Sequence, residues 1–249
     1  MPCPAEMRLL VAWAACLVWC LCWGAQAQVP VRVSLRHNWH NYSDSAAHAA
    51  PLLEMMEAAG QVWPHAFFSL VSRIWSHPSA GGELKDMSYE RLYHHMEGVL
   101  RSLAVDVHDA YPESHLEEWR TLVAQHAQAA KVESYYQMFE AGSNLLSLNV
   151  PCDTFVHVNG HAYCSLPAAR QVIQALNTSS PLLAHDHVHP SHTAPGPSLV
   201  LYADPYSTSI HEFHDMLHAL CSTSHLKYVF RWRPSIASVQ PRPMSRYLS

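Results

Sequence analysis

Apolar and polar positions alternate over residues 29–35, VPVRVSL, and this period of two predicts a first strand. Residues 38–45 are polar and read as a loop. From Pro51 to about Leu148 the period lengthens to that of a helix. Leu52, Leu53 and Met56 form one stripe. Trp63, Phe67, Val71, Ile74 and Trp75 form the next, with Pro64 suited to a first helical turn. Pro78 to Gly82 interrupts the pattern. Tyr89, Leu92, Met96, Val99, Leu100 and Leu103 make another stripe. After Pro112 a third begins with Leu116, Trp119, Leu122 and Val123 and continues through Tyr135, Met138 and Phe139. An all-helical block over about residues 50–148 is expected.

The signal then switches back. Two alternating segments, Thr154-Phe-Val-His-Val and His161-Ala-Tyr-Cys, flank Asn159-Gly160. A type I′ turn needs positive φ at both central residues, so Asn-Gly in this setting predicts a hairpin. Ser165 and Pro167 open a helix with Leu166, Ala169, Val172, Ile173 and Leu176 on one face. Residues 184–197 read as a loop rich in histidine and proline. A strand at Ser198-Leu-Val-Leu-Tyr, a helix capped by Ser209 and a strand at Lys227-Tyr-Val-Phe-Arg-Trp form a βαβ unit, which favours a parallel pair. The inner face of that helix is Ile210, Phe213, Met216, Leu217 and Leu220. The proline-rich tail, 234–249, has no core of its own. Strand, helical block, hairpin, helix and βαβ together predict an α/β fold over 28–249: a thioredoxin-like domain with a large all-helical insertion.

Composition narrows the function. Hydrophobic residues are 49% of the 249, enough for a core, and the net charge of -5 offers no basic field for nucleic acid. The 8 glycines include neither G-x-x-x-x-G-K nor G-x-G-x-x-G, which excludes the common phosphate cradles. Neither G-x-S-x-G nor D-x-D occurs. Arg8 precedes an unbroken apolar run from Leu9 to Trp23, followed by Gly-Ala-Gln-Ala-Gln. That is the pattern of a cleaved signal over residues 1–27, with the cut after Ala27. The run is shorter than the roughly 20 residues that span a bilayer. A lumenal or secreted product with no membrane segment after cleavage is expected.

Of 7 cysteines, Cys3, Cys16, Cys20 and Cys22 fall in the signal, leaving Cys152, Cys164 and Cys221. In an oxidising compartment two of the three are expected to pair. Cys152 with Cys164 is favoured, and pairings with Cys221 stay open. A strict two-residue turn sets Phe155 opposite Cys164 and Cys152 opposite Pro167, so the favoured bridge needs a bulge or a chain that curls back before Thr154. Dithiol exchange needs C-x-x-C at a helix start. The helix after strand 198–202 instead opens Ala203-Asp-Pro-Tyr-Ser-Thr-Ser.

His185, His187, His189 and His192 have spacings that suit zinc or copper. No cysteine or second cluster completes a closed site, so no metal is assigned. His211, His214 and His218 are expected on a solvated face of the 209–221 helix. Asn41 and Asn177 head N-x-S/T sequons and are candidate glycosylation sites.

The ordered segments Pro51-Leu-Leu-Glu, Tyr93-His-His-Met-Glu-Gly-Val-Leu and Phe155-Val-His-Val-Asn-Gly-His-Ala-Tyr-Cys164 resemble the N-terminal region of UDP-glucose:glycoprotein glucosyltransferases. So do Pro181-Leu-Leu, Asp186-His187, Leu199-Val-Leu-Tyr, His211-Glu-Phe, Tyr228-Val-Phe-Arg-Trp and Tyr247-Leu-Ser, and the similarity covers nearly all of 29–249. The resemblance implies the first of several thioredoxin-like domains, with a disulfide matching Cys152–Cys164. It implies the endoplasmic reticulum lumen as location, and misfolded glycoproteins and downstream thioredoxin-like domains as partners. In that family a distant C-terminal domain transfers glucose from UDP-glucose with a divalent cation. No catalytic residue carries over, and no cofactor is expected in this chain, which reads as an inactive N-terminal fragment. The alternative is a free-standing lumenal or secreted binder, or a metal binder using the histidine loop. Of Trp63, Phe67, Phe68, Trp75, Tyr89, Tyr93, Met96 and Trp119, most are expected in the core and the remainder along a groove open to clients.

Overall fold

The computed structural model describes residues 49–145, 150–176, 179–180, 182–190, 196–223 and 226–233. The signal segment, the strand expected at 29–35, the tail, Asn41, Asn177 and His192 lie outside the described residues.

The helical block begins with α1 (Ala50–Val62), started by Pro51. Leu52, Leu53, Met55, Met56, Ala58 and Ala59 leave it apolar around most of its circumference, and it is buried against three later helices. A 3-10 turn (Pro64–Ala66) leads into α2 (Phe67–Ile74), followed by α3 (Ala80–Lys85) and α4 (Tyr89–Asp106). The Ser88 hydroxyl caps α4 by accepting from Arg91 N. Then come α5 (Pro112–Ala124) and α6 (Ala129–Leu145). Helices α4, α5 and α6 pack on α1, and Trp119 of α5 donates from Nε1 to the Met55 carbonyl at 3.1 Å.

The stripe expected to run from Leu116 through Phe139 is therefore two helices. Both α4 and α5 stop in a Schellman-type turn, with the left-handed residue His108 (φ 54) or His126 (φ 50). Asp109 N bonds back to Ala104 O, and Ala127 N to Leu122 O. Glycine is the usual residue there because it has no Cβ to clash. Histidine in its place hides the stop signal. The interruption expected at 78–82 likewise contains the start of α3.

The sheet holds β1 (Thr154–Val158), β2 (His161–Tyr163), β3 (His187–Val188), β4 (Ser198–Ala203) and β5 (Lys227–Trp232), in the order β2-β1-β4-β5-β3. β1 runs antiparallel to β2 and β4; β4 and β5 are parallel, as the βαβ reading expects. Asn159 (φ 51) and Gly160 (φ 81) form the tight turn between β1 and β2. Helix α7 (Leu166–Ile173) follows the hairpin, and α8 (Ile210–Thr223) links β4 to β5. β3 was expected as loop; it pairs antiparallel to the outer side of β5 through His187↔Phe230 and Val188↔Val229. Among the described residues no helix is long and apolar enough to cross a membrane.

Phe67, Trp75, Trp119, Phe155 and Phe230 are each no more than 1% exposed. Burying a side chain of this kind is worth about 1.5–3 kcal/mol. One apolar cluster runs through the helical block and the sheet.

Candidate functional site

In a thioredoxin-like oxidoreductase the reactive thiols would stand between β4 and the start of α8. Here that turn is tied to itself. Asp204 Oδ1 accepts from Tyr206 N at 2.8 Å, and Ser207 Oγ accepts from Ser209 N at 3.2 Å. The helical block also covers it. Trp75 Nε1 donates to Pro205 O at 3.0 Å, and a Cβ on Gly81 would meet Tyr206 O and Ser207 O at 2.8 Å. Gly81 thus permits close approach of α3 to the turn. The one free cysteine among the described residues, Cys221, is buried, and burial pushes its thiol up to about 12. A neutral buried thiol is neither a nucleophile nor an exchange partner.

Cys152 and Cys164 form a disulfide, with Cα atoms 5.8 Å apart. The hairpin keeps the strict register, and β1 starts at Thr154 while β2 ends at Tyr163, so the chain before Thr154 curls back beyond the last ladder pair. Arg233 holds that curl: Nη1 donates to Cys152 O at 2.7 Å, with the guanidinium over the Phe155 ring.

The described histidines of the 185–192 segment go separate ways. The His185 carbonyl accepts from Tyr135 OH at 3.4 Å. His187 Nε2 bonds Glu57 at 2.9 Å, and its ring stacks on Phe67 with centroids 3.5 Å apart. The His189 ring meets Phe68 at 4.7 Å and His218 at 4.9 Å. Among the described residues, no group of three His, Cys, Asp or Glu is placed to hold a metal ion.

Two buried polar clusters join the helical block to the sheet. The first centres on Glu57 of α1, whose Oε1 accepts from Trp232 Nε1 at 2.8 Å and faces His187 Nε2, while Oε2 pairs with Lys131 of α6. Burial alone would raise this carboxyl. His187 and Lys131 outweigh burial and hold it at about 2. The second centres on His214 of α8, and it corrects the solvated face expected for that helix. His218 is exposed and His211 half-buried, but His214 is 1% exposed. Its Nε2 lies 3.2 Å from Phe68 O and 2.9 Å from Ser72 Oγ, and its Nδ1 is 2.8 Å from Tyr228 OH. A carbonyl only accepts, so the proton sits on Nε2 and Tyr228 donates to Nδ1. Burial, with His218, His189 and His211 near, pushes His214 down to about 3, so it is neutral at pH 7.

Six of the eight large side chains expected to divide between core and groove are packed away, namely Trp63, Phe67, Phe68, Trp75, Met96 and Trp119; Tyr89 and Tyr93 are half-buried. Among the described residues the exposed large apolar side chains lie instead at two places, the end of α4 with its following turn and the segment leading into β3. In one, buried Asp109 accepts from Trp63 Nε1, Tyr111 N and His115 Nδ1, which leaves Val105, Val107 and Tyr111 outward at 73%, 42% and 70% exposure. In the other, Asp186 accepts from Leu183 N and takes two bonds from Arg231, which leaves Leu182, Leu183 and Val188 outward.

Residues 49–240 match the family model of the thioredoxin-like domain, and the chain belongs to that family. No curated protein matches the chain.

Proposed function

We propose that this chain is the N-terminal, non-catalytic thioredoxin-like domain of a UDP-glucose:glycoprotein glucosyltransferase, acting in recognition of misfolded glycoproteins in the endoplasmic reticulum lumen. The observation that carries the reading is the covered, cysteine-free turn between β4 and α8. With no accessible thiol among the described residues, binding and scaffolding are the roles this fold supports best. The ordered segments from Pro51 to Tyr247 support the particular family and, with it, the endoplasmic reticulum lumen, while the signal pattern over residues 1–27 supports a lumenal or secreted product. UDP-glucose and a divalent cation belong to a separate catalytic domain in that family, and nothing in this chain is assigned to them.

Clients would meet the exposed apolar turns, because an unfolded segment gains by covering apolar surface that a native protein has already satisfied. Val105, Val107 and Tyr111 are the larger of the two exposures and are held by Asp109 from beneath. The test is fluorescence anisotropy of a labelled, reduced high-mannose glycoprotein titrated with the chain and with a Val107→Asp/Tyr111→Asp variant. The variant is expected to bind about tenfold more weakly, which is about 1.4 kcal/mol. Equal binding by variant and wild type would remove this turn from client recognition.

A further inference from the structure

Three elements meet at His214. From α2 come Phe68 O, Ser72 Oγ and the Phe68 ring; from β5, Tyr228 and Phe230; from the residue after β3, His189. On its own helix His211, Asp215, His218 and Cys221 complete the titratable surroundings. His189, His214 and His218 lie within ring contact of one another or of the shared Tyr228.

Both ring nitrogens of His214 are engaged in its neutral form, with Ser72 Oγ also 2.9 Å from Nε2. Nε2–H donates to Phe68 O, and Nδ1 accepts the Tyr228 proton. Adding a proton at Nδ1 turns an acceptor into a donor and strips fully buried Tyr228 of its acceptor. It also puts a cation beside His218 and His189, while Asp215 of the same helix pairs with His211. No such cost exists once α2 lifts from α8, because water then solvates the imidazolium.

We propose that the contact of α2 with α8 and β5 is an acid-released latch, closed by neutral His214 and opened locally when that imidazole takes up a proton. The closed form stays unprotonated well below the ordinary histidine range. The open form titrates near the ordinary value of about 6.5, so the open population grows about tenfold for each pH unit below it. Opening uncovers Phe68 and Tyr228, both no more than 3% exposed when closed, so acid would add to the chain's apolar surface. The inference does not depend on the proposed family.

The test is native-state hydrogen exchange by mass spectrometry on the full chain between pH 5.0 and 7.5, corrected for intrinsic exchange, beside His214→Gln. Glutamine keeps a neutral donor and acceptor but does not titrate. In the wild type, amides of α2 are expected to open more often than those of β1 and β4 at every pH. Their protection should fall about tenfold per pH unit below about 6.5. In His214→Gln that slope should vanish from α2. Flat protection in the wild type would overturn the latch. So would α2 protection equal to that of β1 and β4 throughout, since only global unfolding would then be at work. Should the variant fail to fold, imidazole 15N shifts of the wild type decide. A His214 that stays in the Nε2–H form down to pH 5 supports the latch, and one that titrates near 6.5 in the folded chain contradicts it.

Discussion

Glu57→Ala should cost about 3–5 kcal/mol and leave the chain largely unfolded at body temperature. The carboxylate is the common acceptor for Trp232 Nε1, His187 Nε2 and Lys131 Nζ, one from each of three elements. Truncation leaves the buried Trp232 indole N–H without its acceptor and Lys131 without its counter-charge. Glu57→Gln should be milder, since the amide oxygen keeps one acceptor, and should lose about half as much. Denaturant unfolding followed by tryptophan fluorescence measures both. An alanine variant within about 0.5 kcal/mol of wild type, the range of ordinary surface substitutions, would show that the cluster contributes nothing net to the seam.

Acid should unfold the protein in two stages. His214 is held down near 3 in the folded chain against an ordinary 6.5, so the unfolded chain binds its proton first. Stability from this group is complete above about pH 6.5 and declines as pH falls toward 3, a loss on the order of 5 kcal/mol. Glu57, held near 2 against 4.5, adds stability that is complete above about pH 4.5 and is lost between there and 2, on the order of 3 kcal/mol. The unfolding free energy should therefore fall with a slope of one proton between pH 6 and 5, steepening toward two between pH 4 and 3. In His214→Gln the upper stage should shrink to the smaller contribution of His157, whose imidazole burial also holds down, while the lower one stays. Stability constant from pH 7 to 5 in the wild type would contradict the buried, neutral assignment of His214.

Much of this architecture is legible in the residues, for reasons that can be named. Asn159-Gly160 fixes the hairpin because few other pairs tolerate two positive φ values, and alternation on both sides confirms it. The parallel β4–β5 pair follows from two apolar strands separated by an amphipathic helix. What was hidden depended on distant partners or unusual residues. β3 is two residues in a polar stretch, and it is a strand only because β5 offers its outer edge. The ends of α4 and α5 carry histidine where glycine would have announced a stop. Other signals were present and outweighed. His214 stands four residues after Ile210, three before Leu217 and seven before Cys221, which puts it on the buried face; its chemical type suggested the opposite. Glu57 sits in a helix that is apolar all round, so a carboxylate there could only be buried and paired. Its partners Lys131, His187 and Trp232 lie far off in sequence, and only the fold brings them together.

The covered turn at Pro205 and the buried Cys221 are what the proposed binding role rests on. The outward turns at Val105–Tyr111 and Leu182–Val188 are the surfaces available for binding. Isothermal titration of the chain with one high-mannose glycoprotein, in its native form and in its reduced, unfolded form, tests this most directly. Measurable binding to the unfolded form only is expected, weak and with a Kd of about tens of micromolar, since a surface that accepts many sequences is not shaped for one. Equal binding to both forms, or none to either at that concentration, would contradict a role in recognising misfolded glycoproteins.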